Sequence, residues 1–452
     1  MRLCFLLIAS LALGADDVHI SADSLRGNLS FLSSDLLEGR ATPSRGLDIA
    51  AEYIAGQLRR AGLEPIGDDG YFQTATMLVR EQNPQGFQMT VTAGGKTVRV
   101  EAEQAAILVD KTLNLENVPI AIMPEDAAGK VVVINAPGRV APKGAALVLF
   151  APPDRPRPSV TDPESARPAR SSVVSPEMMD LLKNAKDARV TLHVEPMIER
   201  RVKVRNVAGV LRGSDPVLRD TYVLLTAHYD HVGMRASGDD KIFNGANDDG
   251  SGTVSVIEIA QALAAMNPRP KRSIVFMTFF GEELGDVGSH YYARHPLVPL
   301  AKTVAHLNLE QLGRTDDSEG AQVAEATVTG YTFSTLTKTL VEAGKAVGVK
   351  IHDRPHTDEY FSRSDNLALA ETGVPAHTLG VSFDFPDYHG VGDEWQKIDY
   401  DNMAKIDRAV ALGLLRLASD AEPPKWDESV AAAKKYADAA KKLHEPAAAA
   451  RR

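Results

Sequence analysis

Cysteine is almost absent from this sequence. Of 452 residues only one is cysteine, Cys4, and it lies in an apolar segment at the N-terminus. If that segment is removed as a secretory signal, the mature chain contains no disulfide and no thiol nucleophile. Any metal site must then be built from histidine, aspartate and glutamate.

The sequence also lacks an excess of positive charge. Lys and Arg total 50 against 60 Asp and Glu, which gives a formal net charge of -10. This balance argues against nucleic acid and anionic membranes as main partners. A hydrophobic content of 44% and a charged content of 24% are typical of a soluble globular protein.

The N-terminal segment MRLCFLLIASLALGA has one arginine, then an apolar run, then small residues. This pattern predicts a signal peptide over residues 1–15 and a secreted or periplasmic protein that has no membrane attachment after cleavage. A membrane anchor is the alternative interpretation. The run is shorter than the roughly 20 apolar residues that a spanning helix needs.

The apolar pattern divides the remaining chain into four parts. Residues 16–75 are predicted to be helical, and residues 76–198 to form an inserted small β-rich domain. In residues 199–422, continuous apolar runs such as TYVLLTAH and RSIVFMTFFG alternate with helical segments. This alternation predicts an α/β fold with a mostly parallel mixed sheet flanked by helices. The Ala/Lys-rich tail, residues 423–452, is predicted to be helical or disordered.

Acidic and imidazole side chains follow at least three successive strands of the predicted sheet. In a doubly wound sheet, functional groups gather at the carboxyl ends of the strands, so we expect these side chains to lie close together. The residues concerned, with one pair in a glycine-rich loop before a helix, are His228, Asp230, Asp248, Asp249, Glu282, Glu283, Glu310 and His389.

Each of these motifs also has a purely structural explanation. A His-x-Asp is usually a surface pair, an Asp-Asp before a helix is usually a cap, and a Glu-Glu more often lies on a solvated face. Taken together, however, the motifs contain only one cation, Lys241. Buried carboxylates are costly without a compensating charge, and a bound metal would supply it. The donor types suit zinc, and a bridging carboxylate would suit two zinc ions about 3.5–4 Å apart.

The five segments TAHYDHVG, NGANDDGSG, FFGEELGDVGS, NLEQLGR and PDYHGVGDEWQKID stand in an order that is similar to one known family. Through them the chain resembles the M28 family of dizinc exopeptidases. The resemblance covers residues 21–65 and 201–415 and implies the zinc exopeptidase fold. The inserted residues 76–198 resemble, through DAAGKVVVINAP and KGAALVLFAPP, the protease-associated domain of some family members.

The resemblance implies two Zn²⁺ ions, whose ligands stand at the positions of this sequence that match the family's motifs. His228 and Glu310 would bind one zinc, and Glu283 and His389 the other. Asp248 would bridge the two ions. Two further residues, Asp230 and Glu282, would act beside the ligands.

Asp230 would orient the imidazole of His228, and Glu282 would act as general base and then general acid. Asp249 would support the loop and the start of the following helix. The motifs assign no role to His231, Tyr388 or Asp365, which stay candidates for the lining of the cleft. His306 and His377 lie within predicted strands, and we expect them to be packing residues.

The implied activity is that of a secreted aminopeptidase, which removes N-terminal residues from peptides through a metal-bridging water. A carboxypeptidase or dipeptidase of the same fold is an alternative, because Glu310 stands where the family usually has aspartate. A second alternative is a non-catalytic binding homologue, although every ligand position holds a residue that can bind a metal. Glutaminyl cyclase-like chemistry with one zinc is a third, but the two-metal set is usually broken in such proteins.

Overall fold

The structure is a computed structural model that describes residues 18–122, 127–134, 142–151, 159–164, 171–184, 187–235 and 238–445. The predicted signal peptide, residues 1–15, lies outside the described residues. Among the helices described, none has both the length and the apolar character needed to cross a membrane. The chain divides into two compact units, one comprising Met1–Ala75 with Val204–Arg452 and the other Thr76–Lys203.

The α-helices of the described chain are numbered in chain order. They are α1 (Ala22–Leu32), α2 (Arg45–Arg60), α3 (Pro176–Asn184), α4 (Gly252–Ala264), α5 (Val287–Arg294), α6 (Leu336–Ala346), α7 (Asn366–Ala370), α8 (Tyr400–Ser419) and α9 (Lys434–Leu443). Polar residues begin several of them. The side chains of Ser21, Ser44 and Asp399 accept hydrogen bonds from backbone N–H groups in the first turns of α1, α2 and α8.

The strands are numbered in the same way. They are β1 (Glu64–Pro65), β2 (Phe72–Glu81), β3 (Phe87–Ala93), β4 (Lys96–Val100), β5 (Ala105–Leu108), β6 (Leu113–Ala121), β7 (Val131–Ile134), β8 (Leu147–Phe150), β9 (Ser159–Thr161), β10 (Ser171–Val174), β11 (Arg189–Val194), β12 (Ile198–Leu211), β13 (Tyr222–His228), β14 (Ser273–Phe279), β15 (Thr303–Glu310), β16 (Asp316–Asp317), β17 (Gly320–Ala321), β18 (Glu325–Val328), β19 (Lys350–Ile351) and β20 (Ala376–Gly380).

Four parallel strands, in the order β14-β13-β15-β20, form the centre of the sheet in the first unit. β12 joins β14 antiparallel at one side, and β18 joins β20 antiparallel at the other. Every residue of β13 and β14 is buried. Parallel strands covered on both faces need continuous apolar sequence, which these two have.

Helices cover both faces of this sheet. α4 packs against β13 and β14 and also contacts α1, α2 and α8. Leu224 of β13 and Met277 of β14 belong to a separate hydrophobic cluster with Tyr292 of α5 and Leu369 of α7. The predicted α/β class, a mixed and mostly parallel sheet flanked by helices, is therefore confirmed.

The tail of the chain contributes to the same hydrophobic cluster. Trp426 and Tyr436, the latter in α9, are 7% and 3% exposed. The indole Nε1 of Trp426 donates a hydrogen bond to the carbonyl oxygen of Gly373 at 2.9 Å. Of the two predicted states, helical or disordered, the described part of the tail adopts the helical one over α9 because its aromatic residues are buried.

The second unit is rich in β-strands, with the order β4-β3-β11-β6-β7-β8-β10-β5 in its sheet. Its core includes Met89, Val131, Leu149 and Val190, to which α3 adds Leu182. The helix α3 was not expected in a domain predicted to be rich in β-strands. The similarity of this unit to a protease-associated domain stays a prediction, as do the domain boundaries.

Candidate metal centre

Four predicted site residues lie at the ends of central strands of the sheet or directly after them. His228 is the last residue of β13, and Glu310 is the last residue of β15. Glu282 and Glu283 lie in a 3-10 turn that follows β14. Because these strands are parallel, their carboxyl ends meet at one edge of the sheet and bring the four side chains together.

Two loops complete the group. Asp248 and Asp249 lie in the turn Ala246–Ser251 that leads into α4, and the peptide bond between them is cis. His389 lies in the loop after β20 and has a positive φ of 53°. All five predicted metal ligands are thus collected at one edge of the sheet.

The carboxylate of Asp248 lies between two sets of donor atoms. Its Oδ1 is 3.3 Å from His228 Nε2, and its Oδ2 is 3.0 Å from His389 Nε2. On the first side, Glu310 Oε2 is 3.5 Å from His228 Nε2. On the second side, Glu283 Oε1 is 2.9 Å from His389 Nε2. The structure thus brings the five residues together around the Asp248 carboxylate, and their roles as ligands stay a prediction.

The electrostatics of the cluster call for positive charge. Burial acts to lower the pKa of His228, but the nearby carboxylates of Glu310 and Glu282 outweigh it and raise that pKa well above its usual value. Burial acts to raise the pKa of Asp248, but His228 and His389 hold it well below its usual value. Carboxylates that stay ionised while histidines hold protons mark a site where cations can replace those protons.

Buried donor atoms without hydrogen bonds agree with this reading. Within the described ranges, neither His228 Nε2 nor Asp248 Oδ2 has a hydrogen bond of good geometry, although each lies close to a group of the cluster, and the two side chains are only 1% and 4% exposed. Leaving such atoms unpaired is costly. Imidazole nitrogens and carboxylate oxygens are zinc ligands, so the residues present fit that metal.

Glu282 lies beside the cluster and faces the adjoining cleft. Its Oε2 is 3.9 Å from His228 Nε2, and its side chain is 15% exposed, more than those of His228 or Glu310. Burial raises the pKa of its carboxyl well above the usual value. A carboxyl group placed at the edge of the cluster, with its basicity increased, is suited to proton transfer.

Asp230 is fully buried next to His228, and its carboxylate also contacts groups that were not predicted. The His228 Nδ1 atom lies 3.1 Å from the backbone carbonyl oxygen of Asp230 and 3.6 Å from its Oδ1. The carboxylate also accepts hydrogen bonds from the backbone N–H of Glu282 at 3.2 Å and the hydroxyl of Thr42 at 3.1 Å. The role of Asp230 in orienting the imidazole stays a prediction, and its side chain in addition holds the backbone of Glu282.

Asp249 has the supporting role expected of it. Its Oδ1 accepts hydrogen bonds from the backbone N–H of Gly252, at the start of α4, and of Gln311 at 3.0 and 3.1 Å. Its Oδ2 accepts from the N–H of His228 at 3.3 Å. The side chain also lies close enough to His228 and Glu310 to join their donor set.

His231, to which the sequence assigned no role, lies within the second donor set. Its Nδ1 is 2.9 Å from Glu283 Oε1, and the four residues His231, Asp248, Glu283 and His389 form one group of possible metal ligands. The tetrapeptide HYDH contains two histidines, His228 and His231. No spacing in the sequence distinguishes the second of them from an ordinary surface histidine.

Two buried charged residues hold the loops of the cluster, and the sequence did not reveal either. Asp393 accepts hydrogen bonds from the backbone N–H groups of Asn247 and Asp248. Arg40 donates to the backbone carbonyls of Tyr229 and Gly245. Burial raises the pKa of Asp393 to about 7 and lowers that of Arg40 to about 10.

A pocket opens beside the first donor set. Ser364 lies at its wall and donates a hydrogen bond to Glu310 Oε1 at 2.6 Å, which orients that carboxylate. Tyr388 is 37% exposed and its ring stacks on that of His389, with centroids 4.0 Å apart. The residues that line the pocket are Asp248, Glu282, Glu310, Gln311, Thr329, Tyr360, Arg363, Ser364, Thr378, Phe383 and Tyr388.

Asp365, the remaining candidate, does not line this pocket. It is fully buried, and burial raises the pKa of its carboxyl well above the usual value. His306 and His377 are buried in β15 and β20, with Nε2 atoms 2.6 Å from the hydroxyl oxygens of Thr226 and Ser334. The two histidines are packing residues, as expected.

Solved structures share this fold. An aminopeptidase from Aneurinibacillus sp. strain AM-1 aligns with a TM-score of 0.62 and 16% identity, covering 91% of this chain and 97% of its own. A zinc aminopeptidase from Bacillus subtilis aligns with a TM-score of 0.61 and 19% identity, covering 89% of this chain and 96% of its own. At such identities the similarity demonstrates the fold alone.

Sequence relatives include "probable leucine aminopeptidase 2" of Aspergillus oryzae, 26% identical over 53% of this chain and 49% of the relative. "Probable glutamate carboxypeptidase VP8" of Zea mays is 28% identical over 48% of this chain and 31% of the relative. The matches thus span between about a third and a half of the length of these curated relatives.

The family model described as peptidase family M28 matches residues 206–413. This segment contains all five predicted metal ligands together with Asp230 and Glu282. The predicted resemblance to peptidase family M28 is therefore confirmed over residues 206–413.

Proposed function

We propose that this chain is a secreted dizinc aminopeptidase, which hydrolyses the N-terminal peptide bond of its substrates. The observation that carries the proposal is the position of the Asp248 carboxylate. One of its oxygens faces His228, and the other faces His389. A carboxylate placed in this way can bridge two metal ions, as two-metal hydrolytic sites require.

Protein side chains and bound metal ions have different roles in the proposed hydrolysis. When bound, the metal ions supply an attacking water of lowered pKa and polarise the scissile carbonyl. Glu282, at the edge of the cluster beside the pocket, takes the proton of the attacking water and passes it to the leaving amine. The Asp230 carboxylate holds the backbone N–H of Glu282, which keeps the glutamate turned toward the cluster.

A substrate panel tests this proposal. Aminoacyl anilides, unblocked peptides and N-blocked peptides are incubated with the purified protein, with and without a zinc chelator. We expect hydrolysis of substrates that have a free amino terminus, and loss of that hydrolysis in the chelator. Cleavage restricted to N-blocked peptides would defeat the aminopeptidase assignment, and cleavage that survives removal of all metal would defeat the metallopeptidase assignment.

Carboxypeptidase or dipeptidase activity is the second candidate, and Arg363 favours it. Among the residues that line the pocket, Arg363 is the one cation. Its guanidinium lies 4.9 Å from the centroid of the Tyr360 ring. An exposed arginine beside the reacting groups can bind a substrate carboxylate with two hydrogen bonds. A relative named as a glutamate carboxypeptidase agrees with this candidate.

Peptide pairs that differ only in a free or amidated C-terminus separate the two candidates. If Arg363 binds the terminal carboxylate, amidation and the Arg363→Met substitution each raise KM, and the substitution has no further effect on amidated peptides. Arg99→Met, at an exposed arginine of β4, is the matched control. Equal rates on both members of each pair would remove the second candidate.

A further inference from the structure

A groove lined by carboxylates lies beside the pocket of the metal centre. Its lining comes mainly from the β16–β17 hairpin and from residues 352–360, which follow β19, and its volume is about 640 Å³. Pockets of this size bind small ligands and side chains. The carboxylates that line this acidic groove are those of Glu319, Glu325, Glu359 and Asp384.

Cations of the protein do not balance this charge. Among the described residues that line the acidic groove, Arg354 is the one cation other than histidine. Its guanidinium is 6% exposed and lies 2.8 Å from Asp317 Oδ1 and 2.9 Å from Glu319 Oε2. Lys350, outside the lining, lies 3.2 Å from Glu325 Oε2. Asp317 and the four carboxylates of the lining thus make five negative charges, against two permanent positive ones.

Two histidines reduce this excess without removing it. His352 Nε2 lies 2.8 Å from Glu325 Oε2, and His356 Nδ1 lies 2.8 Å from Glu359 Oε1. Even with both imidazoles protonated, the carboxylates outnumber the positive charges. The acidic groove therefore attracts a cationic ligand at any pH at which its carboxylates are ionised.

A buried acceptor in the lining lacks a donor. Gln322 is 6% exposed, and its Nε2 donates a hydrogen bond to the carbonyl oxygen of Gly320 at 2.9 Å. Its Oε1 has no hydrogen-bond partner among the described residues. An unpaired buried acceptor is costly, so the lining calls for a ligand that donates hydrogen bonds. Ammonium and guanidinium groups only donate, and they match both this acceptor and the carboxylates.

The spacing of the carboxylates suits an organic cation better than a metal ion. In the described chain, groups of three or more side chains close enough to share one metal ion occur only at the metal centre. The carboxylates of the acidic groove are thus too dispersed for three of them to coordinate a single ion. A lysine or arginine side chain is long and flexible, so its charged end can reach them one at a time.

Tyr360 and Phe383 connect the acidic groove to the pocket of the metal centre. Tyr360 lines both, and its ring stacks on that of Phe383 with centroids 4.9 Å apart. Phe383 lines the pocket, and the next residue, Asp384, lines the groove. An extended peptide advances about 3.3 Å per residue, so a chain whose first residue occupies the pocket passes this ring pair within a few residues.

We propose that the acidic groove binds lysine and arginine side chains of the peptide substrate, at positions that follow the cleaved bond. The preferred substrates are then peptides with basic residues two or three positions after the first residue. This inference rests on the proposed aminopeptidase function, because it places the first residue of the peptide at the metal centre. None of the proposed reacting groups lines the groove, so the groove affects substrate binding rather than the chemical step.

Three amidated pentapeptides test the inference. Each begins with Leu-Ala and ends with Ala, and its third and fourth residues are both lysine, both norleucine or both glutamate. Norleucine resembles lysine without the charge, and amidation removes the terminal carboxylate that Arg363 would bind. The lysine peptide should have a KM about 5–10-fold below that of the norleucine peptide, with equal kcat, and the glutamate peptide the highest KM.

Salt and position provide two further readings. The difference in KM should shrink at about 0.5 M salt, because screening weakens exposed ion pairs. Equal KM values for the three peptides would overturn the inference. A larger effect of lysine at the first position than at the third and fourth would overturn it as well.

Substitutions in the groove locate the effect. The double variant Asp384→Asn, Glu359→Gln removes two carboxylates of the groove and keeps the size of each side chain. It should raise the KM of the lysine peptide about 5-fold and leave that of the norleucine peptide unchanged. Glu342→Gln, Glu428→Gln removes two exposed carboxylates elsewhere and is the matched control. An unchanged preference for lysine in the groove variant would overturn the inference.

Binding measured without turnover separates this inference from the proposed function. Calorimetric titration of the native protein in a chelator reads the affinity for each peptide while metal-dependent hydrolysis is blocked. If no peptide is cleaved but the lysine peptide binds more tightly than the norleucine peptide, the aminopeptidase assignment fails and the ligand class of the groove is retained. If peptides are cleaved without preference for lysine, the inference about the groove fails alone.

Discussion

The carboxylate of Asp393 accepts a hydrogen bond from the backbone N–H of Asp248, with Oδ2 and N 3.0 Å apart. Both of its oxygens also accept from the N–H of Asn247. Asp393 is completely buried, and these bonds hold the loop that carries the proposed bridging carboxylate.

Asp393→Ala should therefore lower both stability and metal binding. Two buried N–H groups lose their acceptor, and each loss costs about 1–3 kcal/mol, so we expect a decrease of roughly 2–6 kcal/mol in the free energy of unfolding. Denaturant titration of the metal-free protein and zinc analysis check this. Asp239→Ala, at an exposed aspartate, is the control. An unfolding midpoint equal to that of the control would show that Asp393 does not support the loop.

Glu282→Gln separates proton transfer from metal binding. The amide cannot take a proton, so turnover should fall by about 10²–10⁴-fold while the zinc content stays that of the native protein. Glu283→Gln should instead lose zinc, because its carboxylate lies in a donor set. Rates on the best substrate and zinc analysis of both variants are compared. Near-native turnover in Glu282→Gln would refute its role as general base.

Arg40→Met tests the attachment of the N-terminal segment to the cluster. The guanidinium donates to carbonyl oxygens of Leu32, Tyr229, Asn244 and Gly245, which methionine leaves without a donor. We expect a destabilisation of more than about 3 kcal/mol. Thermal unfolding is compared with that of Arg45→Met, an exposed arginine at the start of α2. A difference below 1 kcal/mol (roughly the worth of a single hydrogen bond) would contradict this role.

The buried histidines of the sheet predict acid sensitivity. Burial lowers the pKa of His306 to about 3 and that of His377 to about 4, from a usual value near 6.5. Since the folded state keeps them neutral, their contribution is complete above about pH 6.5 and is lost as the pH falls toward 4 and 3. At pH 5 each has cost about 2 kcal/mol of stability relative to pH 8.

His377→Gln should remove its share of this pH dependence. The unfolding midpoint of the metal-free variant should change less between pH 8 and pH 5 than that of the native protein. His444→Gln, at an exposed histidine near the end of the described chain, serves as control. An identical pH dependence in native protein and His377→Gln would show that the buried imidazole does not titrate as inferred.

Features carried by local sequence were predictable. The continuous apolar runs of β13 and β14 indicated a buried parallel sheet, and that sheet is present. Because parallel strands end at one edge, charged residues directly after them could be placed together before the structure was known. His228 and Glu310 are the plainest examples.

Features that depend on distant contacts were not predictable. Arg40 and Asp393 act through hydrogen bonds to backbone groups far along the chain, and no local pattern marks such partners. The hydrogen bond from the backbone N–H of Glu282 to the Asp230 carboxylate depends on how two loops meet. His231 shows the same limit, because its burial is set by the close approach of Gly245.

An anomalous difference map, measured at the zinc absorption edge on crystals of the zinc-loaded protein, tests the central claim most directly. Two peaks about 3.5–4 Å apart are predicted, one on each side of the Asp248 carboxylate. One should contact His228 and Glu310, and the other Glu283 and His389. A single peak, or two peaks that do not share Asp248, would contradict the two-metal site proposed for this chain.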